Sequence, residues 1–431
     1  MDYKNSLEYL YSLSRFGMLF GLKNIKDLLD DIGNPDKKLR FIHIAGTNGK
    51  GSTAFMIYKI LVEAGMNAGI YTSPHLSSFC ERIMVADEMI PEKDVANLTD
   101  FIRYQIEKKG KPSFFTFFDF TTAMALLYFY QKKADPVILE VGLGGRLDST
   151  NIVSPLISII TNIEKDHQDV LGDSIYDIAK EKAGIIKKNI PVITGETKNN
   201  ALKVITKKAK QLNAPLYVLG KDFNYKIKAH NIFDYSGIKY KLTDLKISLL
   251  GVHQFFNASL ALATIEILIN KGVKINIYDI YNGIEKSKLN GRLEIVKRKP
   301  TIILDVAHNL DGVISLKKSL ENGFNWNKLF LIIGIMKDKD IRSIVETISF
   351  LADKIIFSQP KIGRAATPKE ILQQCEGLPL PFCEISPQIP MAIDKVLKEA
   401  SLDDLILITG SFYTVGEARE YLLNLPTGKR I

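Results

Sequence analysis

The fold prediction depends most on the stretch Phe41-Ile42-His43-Ile44-Ala45 and the segment that follows it, Gly46-Thr47-Asn48-Gly49-Lys50-Gly51-Ser52. The apolar run is typical of a buried strand, and residues 53–61 have a helical pattern. A glycine-rich turn between a strand and a helix brings backbone N–H groups and the positive end of the helix dipole to a phosphate. Lys50 offers a mobile cation for the β- and γ-phosphates, and Ser52 a hydroxyl for a metal ion. We therefore interpret residues 46–52 as a phosphate loop.

The phosphate loop departs from the usual pattern, because Gly51 separates Lys50 from Ser52. A glycine-rich turn with a chance lysine is the alternative for this segment taken alone. Other segments must therefore decide between the two interpretations.

Strand-like apolar runs alternate with helix-like segments over most of the 431 residues, which predicts an α/β fold with a mainly parallel sheet. A chain of this length exceeds one ordinary core, and a polar stretch around Asn290-Gly291-Arg292 interrupts the alternation. We predict domains at residues 1–290 and 291–431, and antiparallel strands within 214–249. The strand candidates are 41–45, 137–141, 156–160, 191–194, 301–306, 329–333, 354–357 and 405–409, and the helix candidates include 118–131 and 175–186.

Composition argues against several classes of protein. The longest apolar runs are far shorter than the about 20 residues of a membrane-spanning helix, and the first residues do not resemble a secretion signal. The three cysteines lack metal-ligand spacing and suit a reducing cytoplasm. A net charge of +9 comes from dispersed lysines, which favours polyanionic small molecules over nucleic acid. We expect a cytoplasmic protein with neither nucleic-acid nor membrane partners.

Three further positions carry chemical groups in unusual places. Glu140 lies inside an apolar strand, where a carboxylate is costly unless it binds Mg²⁺ or pairs with a cation such as Arg146. His167 follows another strand and is equally compatible with a functional and a structural role. Lys182, taken by itself, has the pattern of an ordinary surface lysine on a helix.

Seven segments in consistent order resemble folylpolyglutamate synthase and the related dihydrofolate synthase, within the Mur ligase superfamily. They span nearly the whole chain: 46–52, 71–76, 139–151 (LEVGLGGRLDSTN), 166–167 with 181–185, 251–257, 305–309 and 409–412. The resemblance implies a phosphate-loop-type parallel-sheet ATPase domain followed by a smaller Rossmann-like α/β domain for glutamate ligation. It also implies a monomer that uses ATP, L-glutamate and a reduced folate or dihydropteroate.

The resemblance assigns roles to the unusual residues. Gly49, Lys50, Gly51 and Ser52 would bind the ATP phosphates. Ser73 and Glu140 would hold one Mg²⁺, and His167 and Lys182 a second, with Lys182 carbamylated by CO₂ to an anion. Lys50, His167 and Lys182 would form the catalytic group. Nucleotide contacts are implied for Asn257, Arg292, Asp305 and His308, grouped with the second domain, and His308 and Ser411 would lie near glutamate.

The folate or pteroate site implied by the resemblance combines aromatic and polar residues: Phe20, Gly21, Leu22, Phe118, Asp119, Leu147, Asp148 and Ser149. Two positions depart from the pattern that we expect of the family. Asp119 stands in place of Glu, which affects substrate detail, and Asn290 stands in place of Pro, which affects the stiffness of the linker.

The implied reaction begins when ATP phosphorylates the terminal carboxylate of the acceptor to an acyl phosphate. The amine of L-glutamate then displaces phosphate, and closure about a hinge near residue 290 would complete the site. Two alternatives predict different assays. Another Mur-type ligase would use peptidoglycan precursors, and a nucleic-acid-stimulated ATPase would respond to DNA or RNA and to salt.

Overall fold

The structure is a computed structural model that describes residues 1–16, 21–109 and 115–425. The chain divides into two compact units. The first unit consists of Met1–His75, Phe79–Ser248 and Phe255–Ser287, and the second of Leu76–Ser78, Leu249–Gln254 and Lys288–Ile431. Both units contain strands and helices, so the predicted α/β class is confirmed. Among the described residues, no helix combines the length and apolar character needed to span a bilayer.

The main sheet of the first unit has eight strands within the described residues, in the order β4-β3-β2-β5-β1-β6-β7-β8. Six neighbouring strands run parallel to one another: β2, β5, β1, β6, β7 and β8. The strands β3 and β4 add an antiparallel edge beside β2. The carboxyl ends of the parallel strands meet at one edge, where ligands bind in such sheets. The strands are Phe41–Ala45 (β1), Gly69–Tyr71 (β2), Ile83–Val85 (β3), Glu88–Met89 (β4), Val137–Glu140 (β5), Ile157–Ile160 (β6), Val192–Thr194 (β7) and Leu216–Val218 (β8).

Helices cover this sheet. The helix after Thr116 illustrates the local cause, because its N-terminus has a capping box with Asp119 and its length is almost entirely buried. Short 3₁₀ helices occupy Leu13–Phe16, Pro35–Lys38, Phe79–Arg82, Ser149–Ile152 and Ala183–Ile185. The α-helices are Tyr3–Ser12 (α1), Lys23–Asp31 (α2), Lys50–Glu63 (α3), Glu92–Lys108 (α4), Phe117–Gln131 (α5), Gln168–Leu171 (α6), Ile175–Lys182 (α7), Asn199–Gln211 (α8), His253–Asn270 (α9) and Ile277–Lys286 (α10).

The antiparallel segment predicted within 214–249 is largely confirmed. Asn224–Ala229 (β9), Ile232–Ser236 (β10) and Lys241–Lys246 (β11) form an antiparallel sheet of three strands in the described residues. The prediction is wrong at its start, because β8 pairs in parallel with β7 in the main sheet. Polar residues alternate along β9, and most residues of this strand are exposed to solvent.

The second unit has a six-stranded sheet in its described part, in the order β12-β13-β17-β14-β15-β16. Only the edge strand β12 is antiparallel to its neighbour. The strands are Glu294–Arg298 (β12), Thr301–Leu304 (β13), Leu329–Ile333 (β14), Lys354–Phe357 (β15), Phe382–Ile385 (β16) and Leu405–Thr409 (β17). The helices are Leu310–Gly323 (α11), Ile341–Ser349 (α12), Pro368–Gln374 (α13), Ile389–Glu399 (α14) and Phe412–Leu423 (α15).

Candidate active site

The phosphate loop connects β1 to α3, and α3 begins at Lys50, three residues before the predicted helical pattern. A second loop supports it from the end of β6. The Oδ1 atom of Asn162 accepts from Asn48 N at 2.8 Å, and Thr161 Oγ1 donates to Asn48 O at 2.7 Å. Thr47 Oγ1 also accepts from Glu164 N at 3.0 Å. The loop is therefore held by hydrogen bonds from the segment that follows the adjacent parallel strand β6.

Position 49 requires a glycine for two reasons. Its φ of 81° lies in the left-handed region, and a Cβ atom built on it would lie 2.2 Å from Asn257 Oδ1. Asn257 thus lies against the phosphate loop and belongs to the first unit. Its expected place in the second domain is wrong, because α9 from Phe255 onward packs within the first unit.

Two lysines converge on the carbonyl oxygen of Gly46. Lys50 Nζ donates to this oxygen at 3.2 Å and to Thr47 O at 3.1 Å, and Lys182 Nζ donates to Gly46 O at 2.8 Å. Lys182 is 4% exposed, so the interpretation of this residue as a surface lysine is wrong. Burial, together with the charge of Lys50, lowers the pKa of Lys182 to about 7, and Asp166 opposes the shift.

Glu140 lies at the carboxyl end of β5, beside the phosphate loop. Its side chain is 5% exposed, and its Oε2 accepts from the backbone N–H of Ser73 at 3.1 Å. A Cβ atom built on Gly51 would lie 3.6 Å from the same oxygen, so the first turn of α3 faces the carboxylate. Arg146, the alternative ion-pair partner, pairs instead with Glu181 at 2.9 Å. Ser73 and Glu140 are therefore neighbours, as the predicted metal site requires.

His167 lies after β6, next to Asp166, and precedes α6. Its φ of 50° lies in the left-handed region, and its backbone N–H donates to Asp166 Oδ1 at 2.9 Å. Its side chain is 38% exposed. Within the described residues, no group of three or more His, Cys, Asp or Glu side chains could hold a metal ion. Mg²⁺ is commonly held by one or two carboxylates together with water and substrate phosphate oxygens, which needs no such group.

The structure brings several predicted folate residues together. Ser149 Oγ donates to the buried Asp119 Oδ1 at 2.7 Å, while Asp119 Oδ2 accepts from Thr116 N at 3.1 Å. The ring of Phe118 packs closely on Gly142, where a Cβ atom would lie 2.5 Å from the ring, and lies 5.9 Å from the Tyr71 ring. Asp119 therefore joins the start of α5 to the segment after β5.

The remaining folate residues have simpler positions. Burial raises the pKa of Asp148 to about 6, and its Oδ2 accepts from Leu143 N at 2.9 Å. Leu22 packs against the core cluster that contains α5, and Leu147 is half-buried. Gly21 precedes α2 with a φ of 139°, and Phe20 lies outside the described residues.

The candidates in the second unit cluster at the carboxyl ends of β13 and β17. Asp305 Oδ2 accepts from Leu293 N at 2.9 Å, and burial raises its pKa while Arg292 opposes this shift. The Phe412 ring lies 5.2 Å from the Arg292 guanidinium and 5.8 Å from the His308 ring. Ser411 Oγ caps α15 by accepting from Thr414 N at 3.1 Å. Arg292 and His308 thus lie near one aromatic ring, and Asp305 interacts electrostatically with Arg292.

Comparison with known families gives a clear match for both parts of the chain. Residues 44–265 match the Mur ligase middle domain, and residues 291–412 match the Mur ligase glutamate ligase domain. The dihydrofolate synthase/folylpolyglutamate synthase of Bacillus subtilis is 35% identical over 97% of this chain and 99% of its own. The chain belongs to the folylpolyglutamate synthase family of Mur ligases. It is an ATP-dependent ligase by family.

Solved structures of the family have the same fold. An Escherichia coli FolC in complex with DHPP and ADP is 31% identical, covers 96% of this chain and 97% of its own, and has a TM-score of 0.87. A bifunctional folylpolyglutamate synthase/dihydrofolate synthase with Mn, AMPPNP and L-glutamate bound is 29% identical, covers 98% of each chain, and also has a TM-score of 0.87. The predicted α/β domains are therefore the fold of this family.

Arg82 is a buried cation near the start of α5 that the sequence analysis did not single out. It is 7% exposed, its Nε donates to His75 Nδ1 at 2.8 Å, and its guanidinium lies 5.2 Å from the centre of the Phe117 ring. Among the described residues, no carboxylate pairs with it. No sequence pattern singled it out, and the strand that follows it, β3, was itself not predicted.

Proposed function

We propose that this ligase adds L-glutamate to the terminal carboxylate of a reduced folate, with dihydropteroate as a second acceptor. The observation that carries the proposal is the hydrogen bond from the buried Lys182 to Gly46 O in the phosphate loop. The loop suits phosphate binding. Carbamylation would convert Lys182 to an anion, which accounts for a buried amine beside the cation of Lys50. The ADP, L-glutamate and DHPP named for the related structures support the same reaction.

The reaction proceeds in two steps. A carboxylate oxygen of the acceptor attacks the γ-phosphorus of ATP, ADP leaves, and an acyl phosphate forms. The amine nitrogen of glutamate then attacks the acyl carbon through a tetrahedral intermediate, inorganic phosphate leaves, and the amine loses a proton. Gly49, Gly51 and Ser52 present backbone N–H groups at the N-terminus of α3, and Lys50 places a cation at the β- and γ-phosphates.

The residues present fit a divalent metal near the phosphates. Glu140 is a buried carboxylate that faces Gly51, and Ser73 lies next to it, so these two residues would hold one Mg²⁺. His167 and a carbamylated Lys182 would hold a second. When bound, the two ions would neutralise charge on the transferring phosphoryl group. The Mn named in the related structure supports a divalent ion in this family.

Carbamylation of Lys182 suits its surroundings. The neutral amine adds to CO₂ and releases one proton, so the reaction needs a lysine that is deprotonated near neutral pH. Burial and the nearby Lys50 lower the pKa of Lys182 to about 7, which makes a large neutral fraction available. The product is a carboxylate, which would attract Lys50 and a metal ion where the ammonium repelled them.

The acceptor would bind along the start of α5 and the segment after β5. Phe118 offers an aromatic face, and Asp148 and Ser149 offer polar contacts, with Gly21, Leu22, Asp119 and Leu147 around them. Phe20 stays a candidate from the sequence. Arg82 has no carboxylate partner among the described residues and lies beside Phe117, so we assign it to the carboxylate of the acceptor.

The second unit offers the remaining candidates. Arg292, Asp305 and His308 are assigned to nucleotide contacts, with Asn257 of the first unit. His308 and Ser411 are assigned to glutamate. We further propose that residues 1–290 and 291–431 form the two domains of a cytoplasmic monomer that closes about residue 290. Small-angle scattering with and without ATP and acceptor tests closure, which unchanged dimensions would contradict.

One assay tests the proposed reaction. ADP release is measured with glutamate plus tetrahydrofolate, with glutamate plus dihydropteroate, and with glutamate plus a peptidoglycan precursor. Turnover with tetrahydrofolate supports polyglutamylation, and turnover with dihydropteroate adds dihydrofolate synthesis. Turnover only with the peptidoglycan precursor would replace the proposal with another Mur-type activity, and ADP release without any acceptor would contradict a ligase.

A further inference from the structure

His43 is a fully buried imidazole in the middle of β1. Its strand neighbours are Leu139 on one side and Ser158 on the other. Its Nε2 lies 2.8 Å from Thr150 Oγ1, whereas its Nδ1 has no hydrogen-bond partner among the described residues. An apolar side chain would fill this strand position at a lower desolvation cost, so the reason for an imidazole must lie in its contact with Thr150.

Thr150 continues this contact to Asp148. Its hydroxyl donates to Asp148 Oδ1 at 2.5 Å, and its backbone N–H donates to the same oxygen at 3.0 Å. The other carboxylate oxygen accepts from Leu143 N at 2.9 Å. His43, Thr150 and Asp148 thus form a continuous buried chain of hydrogen bonds that runs from the centre of the sheet to the loop after β5.

The positions of the protons in this chain follow from counting donors. The Thr150 hydroxyl has one proton, and Asp148 Oδ1 takes it, so the hydroxyl must accept from His43. His43 therefore carries its proton on Nε2 and leaves Nδ1 as a bare lone pair. The opposite tautomer would bury an N–H without an acceptor, which costs more than the partly satisfied alternative. Burial lowers the pKa of His43 to about 3, and Lys187 adds to this shift, so the ring is neutral with a single N–H.

We infer that His43 and Thr150 are positioning residues that keep Asp148 an ionised acceptor for the N–H edge of the acceptor's pteridine ring. The inference rests on the proposed function, because it takes Asp148 as a contact of the heterocycle. A 2-amino-4-oxopteridine presents a ring N–H beside an amino group. Asp148 Oδ1 already accepts twice from Thr150, so Oδ2, which accepts from Leu143 N, is the oxygen that would accept from this edge. A carboxyl group that turned or gained a proton would lose one of these hydrogen bonds.

The rest of the environment of Asp148 explains why fixed donors are needed. Burial raises the pKa of this carboxyl to about 6, and backbone N–H groups of residues 142, 143 and 150 oppose the shift. Tyr71 interacts electrostatically with Asp148 and Lys187 with His43, and neither hydrogen-bonds to Asp148. Asp119 is also close, because it accepts a hydrogen bond from Ser149. The Thr150 hydroxyl is the one side-chain donor to Asp148 among the described residues, and His43 sets its direction.

Thr150→Val and Thr150→Ser form the first test. Valine has a similar shape without the hydroxyl, whereas serine keeps it. The dissociation constant of dihydropteroate, measured by fluorescence with the whole chain, should rise about tenfold in Thr150→Val and little in Thr150→Ser. Ser158→Ala is the matched control, because it removes a buried hydroxyl from the neighbouring strand that donates to Ile185 O at 2.9 Å. If Thr150→Val and Thr150→Ser bind dihydropteroate with the same affinity as each other, the inference is wrong.

His43 is tested in the same way. His43→Gln keeps an N–H donor near the position of Nε2, and His43→Leu removes it. We expect His43→Leu to raise the KM for dihydropteroate several-fold with the KM for ATP unchanged, and His43→Gln to restore it in part. A pteridine acceptor without its 2-amino group should bind the wild type and His43→Leu with similar affinity. If His43→Leu weakens both ligands equally, or changes only the melting temperature, the inference is wrong.

The histidine tautomer provides a measurement that needs no substrate. Nitrogen-15 NMR of the wild type should show the proton of His43 on Nε2, and a proton on Nδ1 would overturn the inference whatever the ligands do. Failure of the wild type to bind either dihydropteroate or tetrahydrofolate would instead overturn the proposed function. The two failures are therefore distinguishable.

Discussion

Lys182 Nζ donates a 2.8 Å hydrogen bond to Gly46 O, the carbonyl oxygen that also accepts from Lys50 Nζ at 3.2 Å. Two ammonium groups on one carbonyl oxygen repel each other, and burial of Lys182 adds a desolvation cost. Burial and the charge of Lys50 lower the pKa of Lys182 to about 7. This relationship supports the proposal that Lys182 is the amine that reacts with CO₂.

We predict that Lys182→Met abolishes ligation, with a loss on the order of 10² or more, because the variant lacks the anion that would hold a metal ion. In the wild type, ¹³C-labelled bicarbonate should give a carbamate NMR signal. This signal should grow from about pH 6 to about pH 8, since the neutral amine increases as pH rises through the depressed pKa. Lys180→Met is the matched control, because Lys180 is exposed on the same helix. A carbamate signal that persists in Lys182→Met would contradict the assignment.

Glu140→Gln should remove the negative charge while its remaining oxygen still accepts from Ser73 N. We expect kcat to fall by about 10² and the Mg²⁺ concentration for half-maximal activity to rise, because a carboxylate binds the ion far more strongly than an amide. Glu63→Gln, at the opposite end of α3, serves as control. A Mg²⁺ titration that Glu140→Gln leaves unchanged would remove Glu140 from the metal site.

Gly49→Ala and Gly65→Ala separate backbone strain from crowding. The two glycines have similar φ values of 81° and 76°, but a Cβ atom on Gly65 meets nothing within 4 Å. Both variants should lose about 1 kcal/mol of unfolding free energy from the left-handed backbone. Only Gly49→Ala should also lose affinity for an ATP analogue, because its methyl group displaces Asn257. Thermal unfolding and calorimetric titration check the two effects, and equal nucleotide affinities would show that this contact is unimportant.

Arg82→Gln should raise the dissociation constant of dihydropteroate by about tenfold or more, because a charge-assisted hydrogen bond to the acceptor carboxylate is lost. A pteridine analogue without the carboxylate should bind the wild type and the variant alike. Arg40→Gln, at an exposed pair with Asp135, is the control for a lost arginine. If Arg82→Gln weakens both ligands equally, Arg82 shapes the pocket rather than binding the carboxylate.

The long apolar strands were predictable, whereas the short ones were not. β1, β14 and β17 are continuous apolar runs, and their positions agree with the prediction. β2 and β3 have three residues each and were missed, because such short segments carry no periodicity and form only by pairing with neighbours. β16 was missed for a similar reason, since its exposed edge position permits polar residues.

The sequence by itself determined the phosphate loop, the α/β class and the family resemblance, because these depend on local patterns and on the order of short segments. The environment of single residues was decided only by tertiary structure. Lys182 has the sequence pattern of a surface lysine, yet α7 buries it against Gly46 from 136 residues away. Arg82 and His43 likewise acquire their surroundings from α5 and the segment after β5. Burial and hydrogen-bond partners come from distant segments, so local sequence cannot specify them.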